Sequence, residues 1–441
     1  MSHDMIALTM FSTMMLMLMT GQRVFGAIGF VASVAGILLW GVGGEAIPFS
    51  AAMKLMKWYP LLTLPMFVFM GYVMSESRIA DDLYRMFHVW MGPVRGGLAI
   101  GTIALMVLIS AMNGLSVAGM AIGATIALPE LLRRGYDKIM VTGVIQAGSS
   151  LGILVPPSVV LVLYAMIARQ PVGQLWLAGV FPGLMMAGLF ALYIWLRCLV
   201  QPELGPAMDR AEREQYTMAE KLRLLRAGIL PIIIFLVMMV PFVKGWTSLV
   251  ESSAVGALAS FTAAVLKGRM TREVFEVSVR QTLGISCMFM WIILAAMAFG
   301  AIFDGLGAVK AIENLFTEKL GLSPWVILIL MQLSFLVMGT FLDDTAMLVI
   351  VAPLYVPLVG ELGFDLIWYG VLYTITTQIA YMTPPFGYNL FLMRAMAPPQ
   401  ISMRDIYRSI IPFVAVMILA LAIVMAFPGV AMWLPNHIYG K

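Results

Sequence analysis

The sequence predicts an all-α polytopic membrane protein made of two inverted repeats, each with a re-entrant hairpin and a discontinuous helix. Three observations carry this expectation. Of 441 residues, 61% are hydrophobic and only 11% are charged, about half the charged fraction of an ordinary soluble domain. Uncharged runs long enough to cross roughly 30 Å of hydrocarbon recur from end to end. Landmarks of the first half also return 228 positions later, so that Pro129 falls on Pro357, Gly135 on Gly363, Asp137 on Asp365, Pro156 and Pro157 on Pro384 and Pro385, and Pro171 on Pro399. All four prolines between 129 and 171 find prolines without a gap, which points to a duplicated unit.

In chain order, spans are expected near 5–20, 24–41 and 58–76, followed by a long stretch at 97–132 and spans near 138–166 and 175–196. The opening run lacks a basic start and a small-residue cleavage site, so it is expected to stay as a membrane segment. Residues 197–226 carry Arg197, Arg210, Arg213, Lys221, Arg223 and Arg226 among several acids and read as a hydrophilic linker. The series then repeats near 228–246, 249–266 and 284–303, with a second long stretch at 325–360 and spans near 367–393 and 409–428. The expected division is a first repeat at 1–196, a cytoplasmic linker at 197–226 and a second, inverted repeat at 227–441. Ser77–Gly92 and Asp304–Leu320 occupy matching places, are mixed in polarity and read as amphipathic helices at the membrane surface.

Charge sets the expected topology. If 97–132 and 325–360 enter and leave on one side, each half crosses five times. An odd number inverts the second half relative to the first. With the linker in the cytoplasm, 20 of the 27 Lys and Arg residues lie inside, and Lys54, Lys57, Arg169, Lys244, Lys310, Lys319 and Lys441 lie outside. This agrees with the positive-inside rule, which explains the net charge of +4 better than nucleic-acid binding does. Cys198 and Cys287 offer no disulfide framework or CxxC pair, and His3, His88 and His437 are too scattered for a zinc site.

The chemistry is expected at the two Pro-Pro pairs, in GILVPPS (Gly152–Ser158) and MTPPFGY (Met382–Tyr388), each inside an apolar run. Two prolines cannot continue a helix. The freed backbone groups are tolerated at membrane depth only against protein or a wet cavity, where carbonyls can coordinate a cation and the half-helix opening at Pro157 or Pro385 can face an anion. For either pair alone a kink without a ligand explains the residues equally well; two pairs at duplicated positions favour a binding site. Hairpin tips are expected near Ser110–Ser116 and Gly339–Thr345, each meeting the break of its own repeat.

Two oxygen-rich pockets suited to sodium follow, with side-chain candidates Asn113, Ser116, Thr340, Asp344, Thr345 and Thr383 and carbonyl candidates Gly114, Gly152, Val155, Gly339 and Ala380. No other cofactor is expected. Candidates for the substrate are Ser149, Ser150, Pro157, Ser158, Asp343, Thr377, Pro385 and Asn389, although helix packing accounts for small polar residues too. Asp343 reads equally as a functional carboxylate or as a solvated cap of the following half-helix. An intramembrane aspartyl hydrolase would need a second facing carboxylate, and the first tip offers none.

At these residues the chain resembles the large membrane subunit of TRAP (tripartite ATP-independent periplasmic) transporters. The resemblance runs through LPMFVFMGYVM (Leu64–Met74), GGLA (Gly96–Ala99), RGYD (Arg134–Asp137), LGILVPPS (Leu151–Ser158) and FPG (Phe181–Gly183), then FLDDTAMLVIVAPLYVP (Phe341–Pro357) and MTPPFGYNLF (Met382–Phe391). It implies an elevator-type fold of the ion-transporter superfamily in a bacterial inner membrane, and sodium-driven import of a small organic anion or zwitterion. It also implies two protein partners, a periplasmic substrate-binding protein and a small four-helix membrane subunit, the latter expected as a separate chain. The first tip departs from the Ser-rich family pattern, reading Asn113, Gly114, Leu115, Ser116. A stand-alone sodium/anion symporter needing no binding protein is the alternative.

Overall fold

The structure, a computed structural model, describes residues 2–440 apart from 21, 58, 115, 209–215, 315–320, 340–343, 385 and 386. Among the described residues there is no strand. The first half contains α1 (His3–Met19), α2 (Val24–Ala35), α3 (Ala46–Met56), α4 (Thr63–Glu76), α5 (Ile79–Met91), α6 (Gly97–Asn113), α7 (Ser116–Ile122), α8 (Leu128–Arg133), α9 (Lys138–Ser150), α10 (Val159–Ile167) and α11 (Val172–Val200). The second contains α12 (Met218–Val243), α13 (Leu249–Leu266), α14 (Arg272–Gly305), α15 (Ala308–Asn314), α16 (Pro324–Met338), α17 (Asp344–Glu361), α18 (Leu366–Tyr381), α19 (Tyr388–Met396), α20 (Met403–Ala426) and α21 (Gly429–Tyr439). Five of these, α11, α12, α13, α14 and α20, are long and apolar enough to cross a membrane by themselves.

The repeated residues have local jobs. Gly135 and Gly363 take φ of +76° and +79°, the left-handed turn that ends a helix and suits glycine. Two residues on, Asp137 Oδ1 accepts from Met140 N at 2.9 Å, while Asp365 Oδ1 accepts from Ile367 N at 2.8 Å and Trp368 N at 3.0 Å. Both carboxylates therefore cap the N-terminus of the next helix, α9 and α18.

Four elements differ from expectation. Helix α3 fills a stretch for which no element is expected. A capping box between Thr217 and Glu220 starts α12 at Met218, inside the expected linker. Helix α14 begins at Arg272, because the Thr271 hydroxyl caps Val274 N and charged residues ride on its exposed first turns. Helix α21 follows α20 after a short break.

Hydrogen bonds fix the directions of the helices. At one end, Leu98 N donates to the Tyr136 hydroxyl at 3.3 Å, Gly96 N to Gly205 O at 2.9 Å, and Asp137 N to Leu204 O at 3.1 Å. The stretch α6–α8 therefore leaves and returns at the same place, next to the end of α11, as a re-entrant hairpin must. In the second half the Trp325 ring meets Phe364 edge-on at 5.3 Å, which closes α16–α17 in the same manner.

Lys138, at the start of α9, pairs with Asp405 at 2.8 Å and donates to Gln400 O, so α20 starts where α9 starts. At the opposite end, the Tyr164 hydroxyl of α10 donates to Leu366 O at 2.7 Å, and Trp368 Nε1 donates to Val424 O at 2.9 Å. The pair α9–α10 thus runs from the first end to the second, and α18–α19 runs back. The two discontinuous helices are antiparallel.

A second body packs against this core, through α4 on α6 and α14 on α17. Helix α14 packs against α2, α3 and α4, and α13 packs against α4 and α12. Helix α5 lies between the bodies, against α6 and α12. It is anchored at its first turn, where Arg269 forms a fork with both Asp82 oxygens (3.0 and 3.1 Å) and Lys267 adds a third contact at 2.8 Å. The same guanidinium donates at 2.8 Å to the carbonyl of Arg78, a non-glycine residue at φ +54°. Burial alone would raise Asp82, but the hydrogen bonds and charges of Lys267 and Arg269 outweigh it and hold the carboxyl below its usual range.

Candidate functional site: two helix breaks and the hairpin tips

Helix α9 ends at Ser150, and Leu151–Ile153 make one tighter turn before the proline pair. The chain resumes as α10 at Val159, two residues after Pro157, because the Ser158 hydroxyl accepts from Leu161 N and caps the new helix. That hydroxyl also donates to Ile153 O at 2.5 Å, and Trp176 Nε1 donates to Ser158 O at 3.2 Å, so part of the freed backbone is satisfied by protein. In the second break α18 ends at Tyr381 and α19 opens at Tyr388, again later than the prolines. Thr383 bonds back to Ile379 O at 2.6 Å.

The first tip reaches the first break. Gly114, at φ +63°, accepts from Val159 N at 3.3 Å, and a Cβ on Gly114 would stand 2.4 Å from Pro157 O. Ser116 is buried beside it. In the second repeat, a Cβ on Gly339 would stand 2.4 Å from that of Ala380, one turn before the break. Thr340, Asp343 and Pro385 lie outside the described residues. Asn113, Asp344 and Thr345 are placed on helices α6 and α17, with their side chains outside the described part.

The two repeats interleave here. Helix α7 packs on its own α9 and on α19 of the other repeat, while α17 packs on its own α18 and on α10. Asn389 of α19 accordingly donates to Ser116 Oγ at 3.4 Å and Ser149 Oγ at 3.5 Å, joining both repeats and one tip. Ser149, Ser150 and Thr377 are buried, with hydroxyls donating to carbonyls one turn back in their own helices. Gly152, Val155 and Pro157 are likewise buried at the break.

Three buried amides were missing from the sequence reading: Gln146, Gln332 and Gln378. Gln146 donates to Ser409 Oγ at 3.1 Å, Gln332 accepts from Thr376 Oγ1 at 2.5 Å, and Gln378 donates to Ser150 O at 2.8 Å. The available signal was a long amide inside an apolar run, which is costly in hydrocarbon unless it is bonded. Oδ1 of Asn389 and Oε1 of Gln146 and Gln378 are buried with no hydrogen-bond partner among the described residues. Spare oxygens of this kind suit a hard cation. No cluster of three His, Cys, Asp or Glu side chains occurs among the described residues.

Residues 9–430 match the family model described as "Tripartite ATP-independent periplasmic transporter, DctM component". The chain belongs to this family. It is 31% identical over 379 residues to the C4-dicarboxylate TRAP transporter large permease protein of Pseudomonas aeruginosa, covering 86% of each chain. It is 26% identical over 381 residues to the ectoine TRAP transporter large permease protein of Halomonas elongata, covering 85% of this chain and 86% of the relative. Its fold is similar to that of the YdaH transporter of Alcanivorax borkumensis, with a TM-score of 0.65 at 16% identity over 95% of this chain and 99% of that one.

TRAP large permeases are transporter subunits and not enzymes, and this one is a multi-pass membrane protein of a secondary transporter for organic solutes. Membership implies a small membrane subunit and a periplasmic binding protein as partners.

Proposed function

We propose that the chain imports a small organic acid or related solute, such as a zwitterion, across a bacterial inner membrane, coupled to sodium and fed by a periplasmic binding protein. The two repeats, expected at 1–196 and 227–441, form the carrier, joined by a cytoplasmic segment between the end of α11 at Val200 and the start of α12 at Met218. A small four-helix subunit completes the complex. The observation that carries this reading is the junction of Gly114 with Pro157 and Val159, where the carbonyl of a hairpin tip meets a broken helix inside the packed core.

Sodium, as a co-transported ion, would be held by carbonyls at that junction and by the matching set at Gly339, Ala380 and Thr383. The solute would lie between them, beside Ser149, Thr377 and Asn389. A negative substrate gains from the half-helix N-terminus opened after Ser158. Since tips and breaks belong to one packed core, the core would move as a unit against the α1–α4 and α12–α14 body, as an elevator.

Reconstitution in liposomes tests this. Uptake should require an inward sodium gradient, the small subunit and the loaded binding protein. Uptake that persists without sodium defeats the coupling, and uptake without the binding protein points to a stand-alone symporter.

A further inference from the structure

Ser150 is the last residue of α9, and the break removes the regular helical donor to its carbonyl: Leu154 N turns instead to Leu151 O at 3.1 Å. The tighter turn Leu151–Ile153 leaves that carbonyl only the closer-spaced bond of a 3-10 turn and a second lone pair open at membrane depth. The other repeat fills it: Gln378 Nε2 donates at 2.8 Å and the Tyr381 hydroxyl approaches at 3.5 Å. Gln378 stands 228 positions after Ser150, so each is the other's duplicate and the contact lies at the crossing of the two discontinuous helices. Gln378 is fully buried, and its Oε1 has no hydrogen-bond partner among the described residues. A buried amide holds such a place only when its bond offsets its desolvation.

We propose that Gln378 is a positioning residue for sodium coupling: from the second repeat it fixes the first repeat's break, so that the turn Leu151–Ile153, with Val155 bonded back to it through Leu151 O at 2.9 Å, presents the Gly152 and Val155 carbonyls to the ion already ordered. The inference rests on the sodium-coupled reading above. Its physical content is preorganisation. With Ser150 O tied to α18, the turn cannot rotate, and the ion does not have to order its own ligands on binding. Sodium affinity at the first break then depends on a side chain of the other repeat that need not touch the ion.

The test uses the full chain, with its partners where uptake is read, in three forms: wild type, Gln378→Met, which keeps the length and loses the donor, and Gln378→Asn, whose donor falls short. Two readouts are taken. One is the sodium dependence of uptake. The other is the sodium-induced shift in melting temperature of the purified protein without substrate. In both variants half-saturating sodium should rise by about tenfold, the scale of one lost hydrogen bond to a buried carbonyl. Substrate half-saturation at saturating sodium should stay within about twofold.

Unchanged or tighter sodium dependence in a folded Gln378→Met protein overturns the inference. So does failure of both variants to fold, because the amide is then a determinant of the fold and not of ion affinity. A wild type whose uptake and melting ignore sodium defeats the underlying reading instead, so the two failures are distinguishable.

Discussion

Replacing Gly114 by alanine is the sharpest perturbation of the tip-to-break junction. At φ +63° an L side chain costs about 1–2 kcal/mol relative to glycine. The new Cβ would stand 2.4 Å from Pro157 O and 3.3 Å from Val159 N, both backbone atoms that cannot swing aside. Relieving that overlap costs about 1–3 kcal/mol. The displaced tip would also lose the 3.3 Å bond from Val159 N, worth about 1 kcal/mol.

Together these effects amount to about 3–6 kcal/mol, which shifts the docking equilibrium of the tip by more than about 100-fold. Initial uptake rates in proteoliposomes, read beside a melting curve, measure it. Gly114→Ala should lower uptake by more than about tenfold and lower the melting temperature. Gly188→Ala, on α11 where a Cβ meets nothing within 4 Å, should be neutral or stabilise by up to about 1 kcal/mol. Gly114→Ala with wild-type uptake and melting would refute the junction.

Other consequences are open to direct measurement. Asp82→Asn should destabilise by about 1 kcal/mol, since the Asp82, Lys267 and Arg269 side chains are each about a third exposed. Because the folded carboxyl titrates below its unfolded value of about 3.9, that contribution is complete above pH 5 and fades as pH falls below about 4. Melting curves of wild type and variant should therefore run parallel from pH 8 to 5 and converge in acid. Gly96→Ala places a Cβ at φ +70° only 2.8 Å from Cys198 Sγ, against the hairpin base, and should cost about 2–4 kcal/mol in thermal unfolding. Thr217→Ala removes the cap of α12 and should cost about 1 kcal/mol, read as a small drop in melting temperature.

Much of the architecture was legible because duplication and patterning act together. The Pro-Pro pairs announced both helix breaks, and the return of Gly135 and Asp137 at Gly363 and Asp365 announced equivalent structure before α9 and α18, which proves to be a turn and a cap. What escaped was set by short-range chemistry or by tertiary contact. Ser158 moves the opening of α10 past Pro157 by capping, and Thr217 with Glu220 draws α12 into a stretch whose charges suggested only a linker. Hydropathy averaged over a span hides one residue, so Gln146, Gln332 and Gln378 were overlooked, although each is costly where it lies. Their partners, Ser409, Thr376 and Ser150, sit across the core, and no single segment contains both ends of those bonds.

The central claim is that one core carries the solute by moving against a fixed outer body. Spin labels at Leu258 on α13 and Ile411 on α20, both exposed, span the two bodies, and labels at Val200 and Ile411 lie within the core. Distances between each pair should be measured in lipid, with the partner subunits, without ligands and then with sodium and substrate. The first pair should shift by more than one helical turn, about 5.4 Å, while the second stays fixed. If neither pair moves, or if the pair inside the core moves as much as the pair across the bodies, the elevator account is wrong.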